Sequence, residues 1–398
     1  MAWEPNDLER FKTAYRAGAS DLQLSNMFES TPDKVGKFLR VCKTIGELPA
    51  RKDFDPITDM PEEDIPEDDR DLKLLKLLKR SQTALTIDEA ANALDISPKR
   101  IEEAAERLSA KRYLVDSSNK PFIQFSPPPI GKKSQHMVNY SNGNTFKFGV
   151  VSDNHLCSKY AREDVLHDLY DIFEEEGVTT VYNAGNWVDG EKNFNKQDLN
   201  IHGLGNQVNY FVKNYPSRPN IDTYYIAGDD HEGWWVQSTG VDIGQYAEDV
   251  AKRAGRTDLH YLGYMEHDVE ITHPDGIAPT RIRINHPGGG SAESISHAPQ
   301  KEVSSYMGGD KPHMLIMGHY HKAGYFFYRN CHILLAGCTE MQTPFMRKKR
   351  LPAHLGGWIV TIKQGEDGSI LRLDTSFFPF YDIPNTDELW TYKMYQEG

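Results

Sequence analysis

Five short clusters in this chain carry side chains that bind metal ions: Ser152-Asp153-Asn154-His155, Ala184-Gly185-Asn186-Trp187-Val188-Asp189, Gly228-Asp229-Asp230-His231-Glu232, Asn285-His286-Pro287-Gly288 and Gly318-His319-Tyr320-His321. Imidazoles, carboxylates and amides, with no cysteine among them, suit borderline or hard divalent ions such as manganese, iron or zinc. A single Asp-x-His is noise, and a lone histidine is more often a cap or a core residue than a ligand. The order carries the weight, because each cluster directly follows an apolar run. Two cations held this way clamp a phosphoryl oxygen and lower the pKa of a bound water, which is hydrolytic chemistry.

The apolar runs Phe146–Val151, Thr179–Tyr182, Asp222–Ala227, Arg281–Asn285, His313–Met317 and His332–Ala336 predict strands. Amphipathic segments at Tyr160–Glu175 and Gly240–Ala254 predict helices between them. Such alternation implies an α/β core with helices outside its sheets. Groups just beyond the strand ends of such a sheet converge on one crevice.

This series resembles the calcineurin-like metallophosphoesterases, whose motifs are D-x-H, G-D-x-x-D, G-N-H-E/D, H and G-H-x-H; the likeness runs from Phe146 to roughly Phe378. The resemblance implies a four-layer α-β-β-α sandwich, with two metals at the strand ends. It places Asp153, His155 and His321 on the first metal and Asp230, His286 and His319 on the second. Asn186 stands at the bridging position, and His231 at the histidine that stabilises charge or protonates the leaving group. Asp189, Asp229 and Glu232 fall beside these ligands.

Two departures stand out. Asn186 replaces the bridging carboxylate, and Asp230 replaces the asparagine expected before His231, as if the pair were exchanged. Asp229 also occupies the place of the motif glycine. The run Asp229 to Trp235 looks like a subgroup of virus- and prophage-encoded members, regarded as DNA-repair exonucleases, with N-terminal helix-turn-helix segments.

Before this catalytic part, at 146–398, the chain divides into smaller pieces. Residues 1–50 read as a helix-turn-helix-like unit whose third helix spaces Lys34, Lys37, Arg40 and Lys43 three residues apart. That face reads either as a phosphate-binding surface or as a solvated side of a small bundle. Residues 51–70, with nine acidic and three basic side chains, read as an acidic linker. Residues 71–126 suggest a winged-helix-like domain with Arg107, Lys111 and Arg112 near the end of its third helix. Acidic side chains share that helix, so it reads equally as binding DNA, binding a protein partner or packing on its own catalytic part. A second linker follows at 127–145.

The 398 residues carry 45 basic and 58 acidic side chains, a net charge of -13, which excludes a polybasic protein that holds nucleic acid by bulk charge. No stretch approaches the ~20 apolar residues of a membrane helix. The N-terminus lacks secretory features, and the four cysteines lack paired spacing, so a reducing cytoplasm is expected. One basic run stands out, Arg347-Lys348-Lys349-Arg350, which could track a phosphate backbone while Phe345, Trp234 or Trp235 stacks on bases, or could be a solvated turn. Gly288–Gly290 allows close backbone approach to substrate, or forms a plain turn.

These readings converge on a phosphodiesterase with two divalent ions, Mn²⁺ first and Fe or Zn as alternatives, acting on DNA as a nuclease. A phosphomonoesterase or small-nucleotide phosphodiesterase with partner-binding N-terminal domains is the alternative; a DNA-binding regulator with a decayed centre is a third. The exchanged pair is testable. Asp230→Asn should lose the second metal first, and Asn186→Asp added to it should recover much of the loss. Metal content and diester turnover across the double-mutant cycle measure this, and purely additive effects would refute the exchange.

Overall fold

The computed structural model describes residues 60, 64–66, 68–128, 136–139, 144–272, 275–276, 278–290 and 293–381. Lys34, Lys37, Arg40 and Lys43, and most of the acidic stretch, lie outside them.

From Asp69 the chain forms α1 (Asp69–Arg80), β1 (Leu85–Thr86), α2 (Ile87–Leu94), α3 (Pro98–Ala110), β2 (Val115–Asp116) and β3 (Phe122–Phe125), with strand order β1-β3-β2. Thr86 and Glu89 close a reciprocal capping box at the start of α2, satisfying donors the helix cannot. Pro98 opens α3, where its missing N–H costs nothing. Leu74, Leu78, Ile101, Leu108 and Ile123 are buried together beneath the small sheet. This is a winged-helix outline.

Several cations of this module are engaged. Arg107 pairs with Asp71 at 2.6 Å, Lys120 with Glu102 at 2.8 Å, and Lys111 donates to the Ile65 carbonyl at 2.6 Å. Arg112 reaches out of the module to Asp249 at 2.6 Å. Around that pair, Leu114 N donates to Gly240 O (2.7 Å) and Asp242 N to Arg112 O (3.0 Å). Lys79 donates to the Ser238 carbonyl, and Arg253 pairs with Asp64 at 2.7 Å. The module therefore packs on the α/β part of the chain that follows it.

That part contains β4 (His136–Asn139), β5 (Thr145–Val151), α4 (Glu163–Glu175), β6 (Thr180–Asn183), α5 (Leu204–Asn214), β7 (Asp222–Ala227), α6 (Glu232–Thr239) and α7 (Ile243–Arg253). It continues through β8 (Leu259–Tyr264), β9 (Glu266–Thr272), β10 (Thr280–Asn285), α8 (His297–Ser305), β11 (Met314–Met317), β12 (Ala323–Tyr328) and β13 (Cys331–Ala336). It ends with α9 (Pro344–Lys349), β14 (Gly356–Gln364) and β15 (Ile370–Pro379).

The strands form two six-stranded sheets, β15-β14-β5-β6-β7-β8 and β12-β13-β11-β10-β9-β4. Phe148, Val150, Ile226, Ile284, Ile316, Leu334 and Val360 fill the space between them. Leu166, Leu169, Phe173, Val208, Phe211 and Val250 bury α4, α5 and α7 in the core outside the first sheet. Val303 of α8 packs with Leu315, Met317, Ile333 and Leu335 on the second. Alternate residues of β11 thus serve opposite cores, as a strand's two-residue period requires. The architecture is a four-layer α-β-β-α sandwich. No described helix is long and apolar enough to cross a membrane.

Three expectations change. His136–Asn139, inside the stretch read as a linker, is an edge strand parallel to β9. The helix expected from Tyr160 begins at Glu163. The helix expected over Gly240–Ala254 starts after a break, because Gly240 caps α6 in the left-handed region (φ 81°) and the Asp242 side chain starts α7 by accepting from Gln245 N.

A Cβ at Gly240 would lie 3.1 Å from the Phe125 ring and 3.4 Å from Leu75, both in the winged-helix module. Gly240→Ala should therefore cost about 1–2 kcal/mol from backbone strain alone, with a further loss from module packing. Thermal unfolding measures it, and an unchanged midpoint would contradict the docking.

Candidate metal centre

The parallel strands β5, β6 and β7 end at Val151, Asn183 and Ala227, and β10 and β11 at Asn285 and Met317. The loops beyond them carry all five clusters into one cleft. Six of the residues there hold positive φ without being glycine: Asp153 (49°), His155 (48°), Asn186 (54°), His231 (47°), His319 (76°) and His321 (52°). Such conformations cost about 1–3 kcal/mol each and persist only where surroundings over-determine them. Bonds between loops do so here. Asp153 N donates to Gly185 O (2.9 Å), His155 N to Asn186 O (2.9 Å), Thr339 N to Asp153 O (3.1 Å) and Gly318 N to Asn285 O (3.0 Å).

Two ligand groups emerge, Asp153 with His155 and His321, and Asp230 with His286 and His319; within each, the potential ligand atoms lie within 4.8 Å of one another. In the first, the Nε2 atoms of His155 and His321 stand 3.2 Å apart, with Asp153 Oδ1 3.9 and 3.5 Å from them. In the second, Asp230 Oδ1 lies 3.4 Å from His286 Nε2, and Oδ2 lies 3.1 Å from His319 Nδ1.

The far side of three imidazoles fixes the tautomer. His155 Nδ1–H donates to Asp189 Oδ1 (2.8 Å), His286 Nδ1–H to Ala184 O (2.5 Å) and His319 Nε2–H to Gly289 O (2.6 Å). Each ring then presents its lone pair to the carboxylate of its own group, a repulsive arrangement that an intervening cation relieves. His286 shows the same demand electrostatically. Burial pushes its pKa down, yet Asp230, Asp153 and Glu232 carry it up to about 9, so this cage draws positive charge. The donor set fits two divalent ions.

Asn186 lies between the groups. Turned one way, its Nδ2 donates to Asp153 Oδ1 (3.4 Å); turned the other, it donates to Glu232 Oε2 (3.1 Å) and Asp230 Oδ1 (3.2 Å). Glu232 is fully buried, and its Oε1 accepts from Asn186 N (2.8 Å) and Gly228 N (2.9 Å), tying two loops beneath the centre. Burial raises its carboxyl to about 7. Asp229 is half-buried beside the Gly288 turn. Gly289 in that turn supplies the carbonyl that orients His319, which gives the glycine run a supporting role.

His231 stands at the edge of the centre. Its Nδ1–H reaches Asp189 Oδ1 (2.9 Å) and the Asp189 carbonyl (3.0 Å), leaving Nε2 for a substrate oxygen. Asp189, His155 and His231 also form a close cluster, but hydrogen bonds account for those contacts. The indole of Trp234 stacks on the His231 ring with centroids 4.4 Å apart.

The expectation that Trp235 stacks on bases fails, because it is buried and donates to Gln207 Oε1. Trp234 is buried too, under Phe194 at 5.3 Å, with Lys192 over its ring at 4.8 Å. Phe194, 69% exposed, and Phe345, 56% exposed, do present open aromatic faces. Arg347 to Arg350 are exposed along and just past α9. Sequence reading also missed Glu340, which lies 3% exposed beside the first ligand group. It follows the sixth apolar strand, β13, outside the five clusters.

No protein-family profile matches the chain, and no curated protein sequence does. Among solved structures it is similar to an archaeal phosphodiesterase, 13% identical over 58% of this chain and 100% of that one, with TM-score 0.32. It is likewise similar to zinc-complexed Vps29 from Entamoeba histolytica, 13% identical over 59% and 100% of the two chains, TM-score 0.28. The 5'-nucleotidase precursor from Thermus thermophilus is 12% identical over 59% of this chain and 54% of that one, TM-score 0.29.

The geometry separates His231 from the ligand groups. His231→Ala should lower kcat on a phosphodiester about 100-fold, the scale of general acid–base work, while metal content by elemental analysis stays at the wild-type level. Loss of metal instead would make His231 a ligand.

Proposed function

We propose that this protein is a metal-dependent phosphodiesterase that hydrolyses nucleic acid, with DNA as its substrate. The observation that carries the reading is the pairing of two Asp/His groups around Asn186, with a histidine anchored by Asp189 at their edge. Asp153, His155 and His321 would hold one ion, and Asp230, His286 and His319 the other. When bound, such a pair neutralises phosphoryl charge and supplies a deprotonated water at neutral pH. Asp189 orients His155 and His231 together through one carboxylate oxygen. His231, with Nδ1 engaged, offers a proton from Nε2 to the leaving oxygen, and Trp234 keeps the ring from turning away.

The polymer reading draws on the surface. Arg347, Lys348, Lys349 and Arg350 form a compact cationic end to α9, which begins only a few residues beyond the buried Glu340. Such a track suits a phosphate backbone, and Phe345 and Phe194 offer faces for unstacked bases. Further phosphate contacts fall to Lys34, Lys37, Arg40 and Lys43. Manganese is favoured over magnesium, since four imidazoles outnumber two carboxylates across the two groups.

Exhaustive chelation should abolish hydrolysis of labelled DNA and of bis(p-nitrophenyl) phosphate, and Mn²⁺ should restore both better than Mg²⁺. Changing Arg347, Lys348, Lys349 and Arg350 to Gln should weaken DNA turnover and flatten its salt dependence while sparing the chromogenic ester. Activity that survives chelation would refute the hydrolytic reading. Unchanged DNA kinetics in the quadruple variant would refute the backbone track.

A further inference from the structure

Asp230 returns a negative charge to the centre, but its two oxygens face His286 and His319, both in the second group. The first group keeps Asp153 as its carboxylate, and its neighbour at the bridging position is the neutral Asn186. A dication held by one carboxylate and two imidazoles lacks the anionic share that a bridging carboxylate would bring.

Glu340 stands where that charge is missing. The loop after β13 carries it back to the cleft, pinned by a bridge to Ala161 and by Met341 N donating to Tyr160 O (2.9 Å). Ser158 Oγ donates to its Oε1 at 2.8 Å. No hydrogen bond among the described residues reaches Oε2, which lies 3.8 Å from His155 Nε2 and 4.0 Å from His321 Nδ1. His321 Nδ1 is itself buried without a hydrogen-bond partner. A buried carboxylate oxygen without a donor is costly unless a cation answers it.

The side of the ring matters. Asp189 already fixes His155 through Nδ1, so Glu340 is not needed to orient that ring; it faces the nitrogen that would bind metal. Two ligand atoms on one ion, each about 2.1 Å from it, can stand no more than about 4.2 Å apart. The gap from Oε2 to His155 Nε2 falls inside that limit, and a turn of the Glu340 side chain would carry the oxygen from the Nδ1 side of His321, where it lies 4.0 Å away, toward the Nε2 that faces Asp153.

We propose that Glu340 is a further carboxylate ligand of the first metal site, supplying there the negative charge that Asn186 does not. The inference rests on the two-metal reading of the centre, but it concerns binding and is read without turnover.

Mn²⁺ titration by calorimetry, with elemental analysis of the loaded protein, tests it on the full chain. The wild type should bind two equivalents. Glu340→Gln keeps the side-chain shape and an oxygen for Ser158, and should weaken one site about 10-fold or more while leaving the other unchanged. Adding Asn186→Asp should recover most of that affinity. Melting of the metal-free proteins separates folding from binding. If Glu340→Gln does not fold, Glu340→Asp, which draws the carboxylate back from His155, is read in the same way. Two equivalents bound at wild-type affinity by the Gln variant, or by the Asp variant in its place, would overturn the assignment. A wild type that binds two Mn²⁺ but cleaves no phosphodiester would overturn the function and leave this site standing.

Discussion

The centre depends on how Asp153 is held. Its carboxylate accepts from Ser152 Oγ (2.8 Å) on Oδ2 and from His319 N on both oxygens (2.9 Å to Oδ2, 3.1 Å to Oδ1), while Oδ1 faces the histidines. Its backbone joins Gly185 on one side and Thr339 on the other. One residue therefore ties the loops after β5, β6, β11 and β13. The His155, His286 and His321 imidazoles outweigh burial and hold its carboxyl well below the usual range. Without that anchor the left-handed residues around it would have no common reference, and the ligand lone pairs would not meet.

The sandwich serves this convergence. Parallel strands from both sheets end on the same side, and the apolar packing between the sheets fixes the separation of their exits. Gly185 and Gly318 show how tightly: a Cβ at Gly185 would fall 2.5 Å from His286 Nδ1, and one at Gly318 would fall 2.3 Å from Ser152 Oγ. These glycines let backbone pass directly beneath the ligands, where any side chain would displace a ring.

Much of this was legible in the sequence because ligand clusters and apolar runs are both local patterns. The alternation gave an α/β core and the resemblance carried by the motif series implied its α-β-β-α order, and the eight residues from Asp153 to His321 do meet in one cleft. Glu340 was not legible in that way. It is a lone carboxylate in an ordinary loop, and only the return of that loop to the cleft brings it near His155. His136–Asn139 was missed because a short polar edge strand looks like a linker until β9 offers it a partner. The aromatic surface was misread for a related reason, since sequence cannot say that Trp234 and Trp235 lie beneath Phe194 and Gln207 rather than above them.

The position of α6 links the two halves of the molecule. Its eight residues begin immediately after His231 and end at Gly240, where the backbone of Leu114 is hydrogen-bonded. At 1.5 Å per residue that is a rod of about 12 Å, with the His231 ring at one end and the winged-helix module at the other. The module is therefore no passenger on a flexible tether. The seat of the module and the His231 ring are thus the two ends of one short helix.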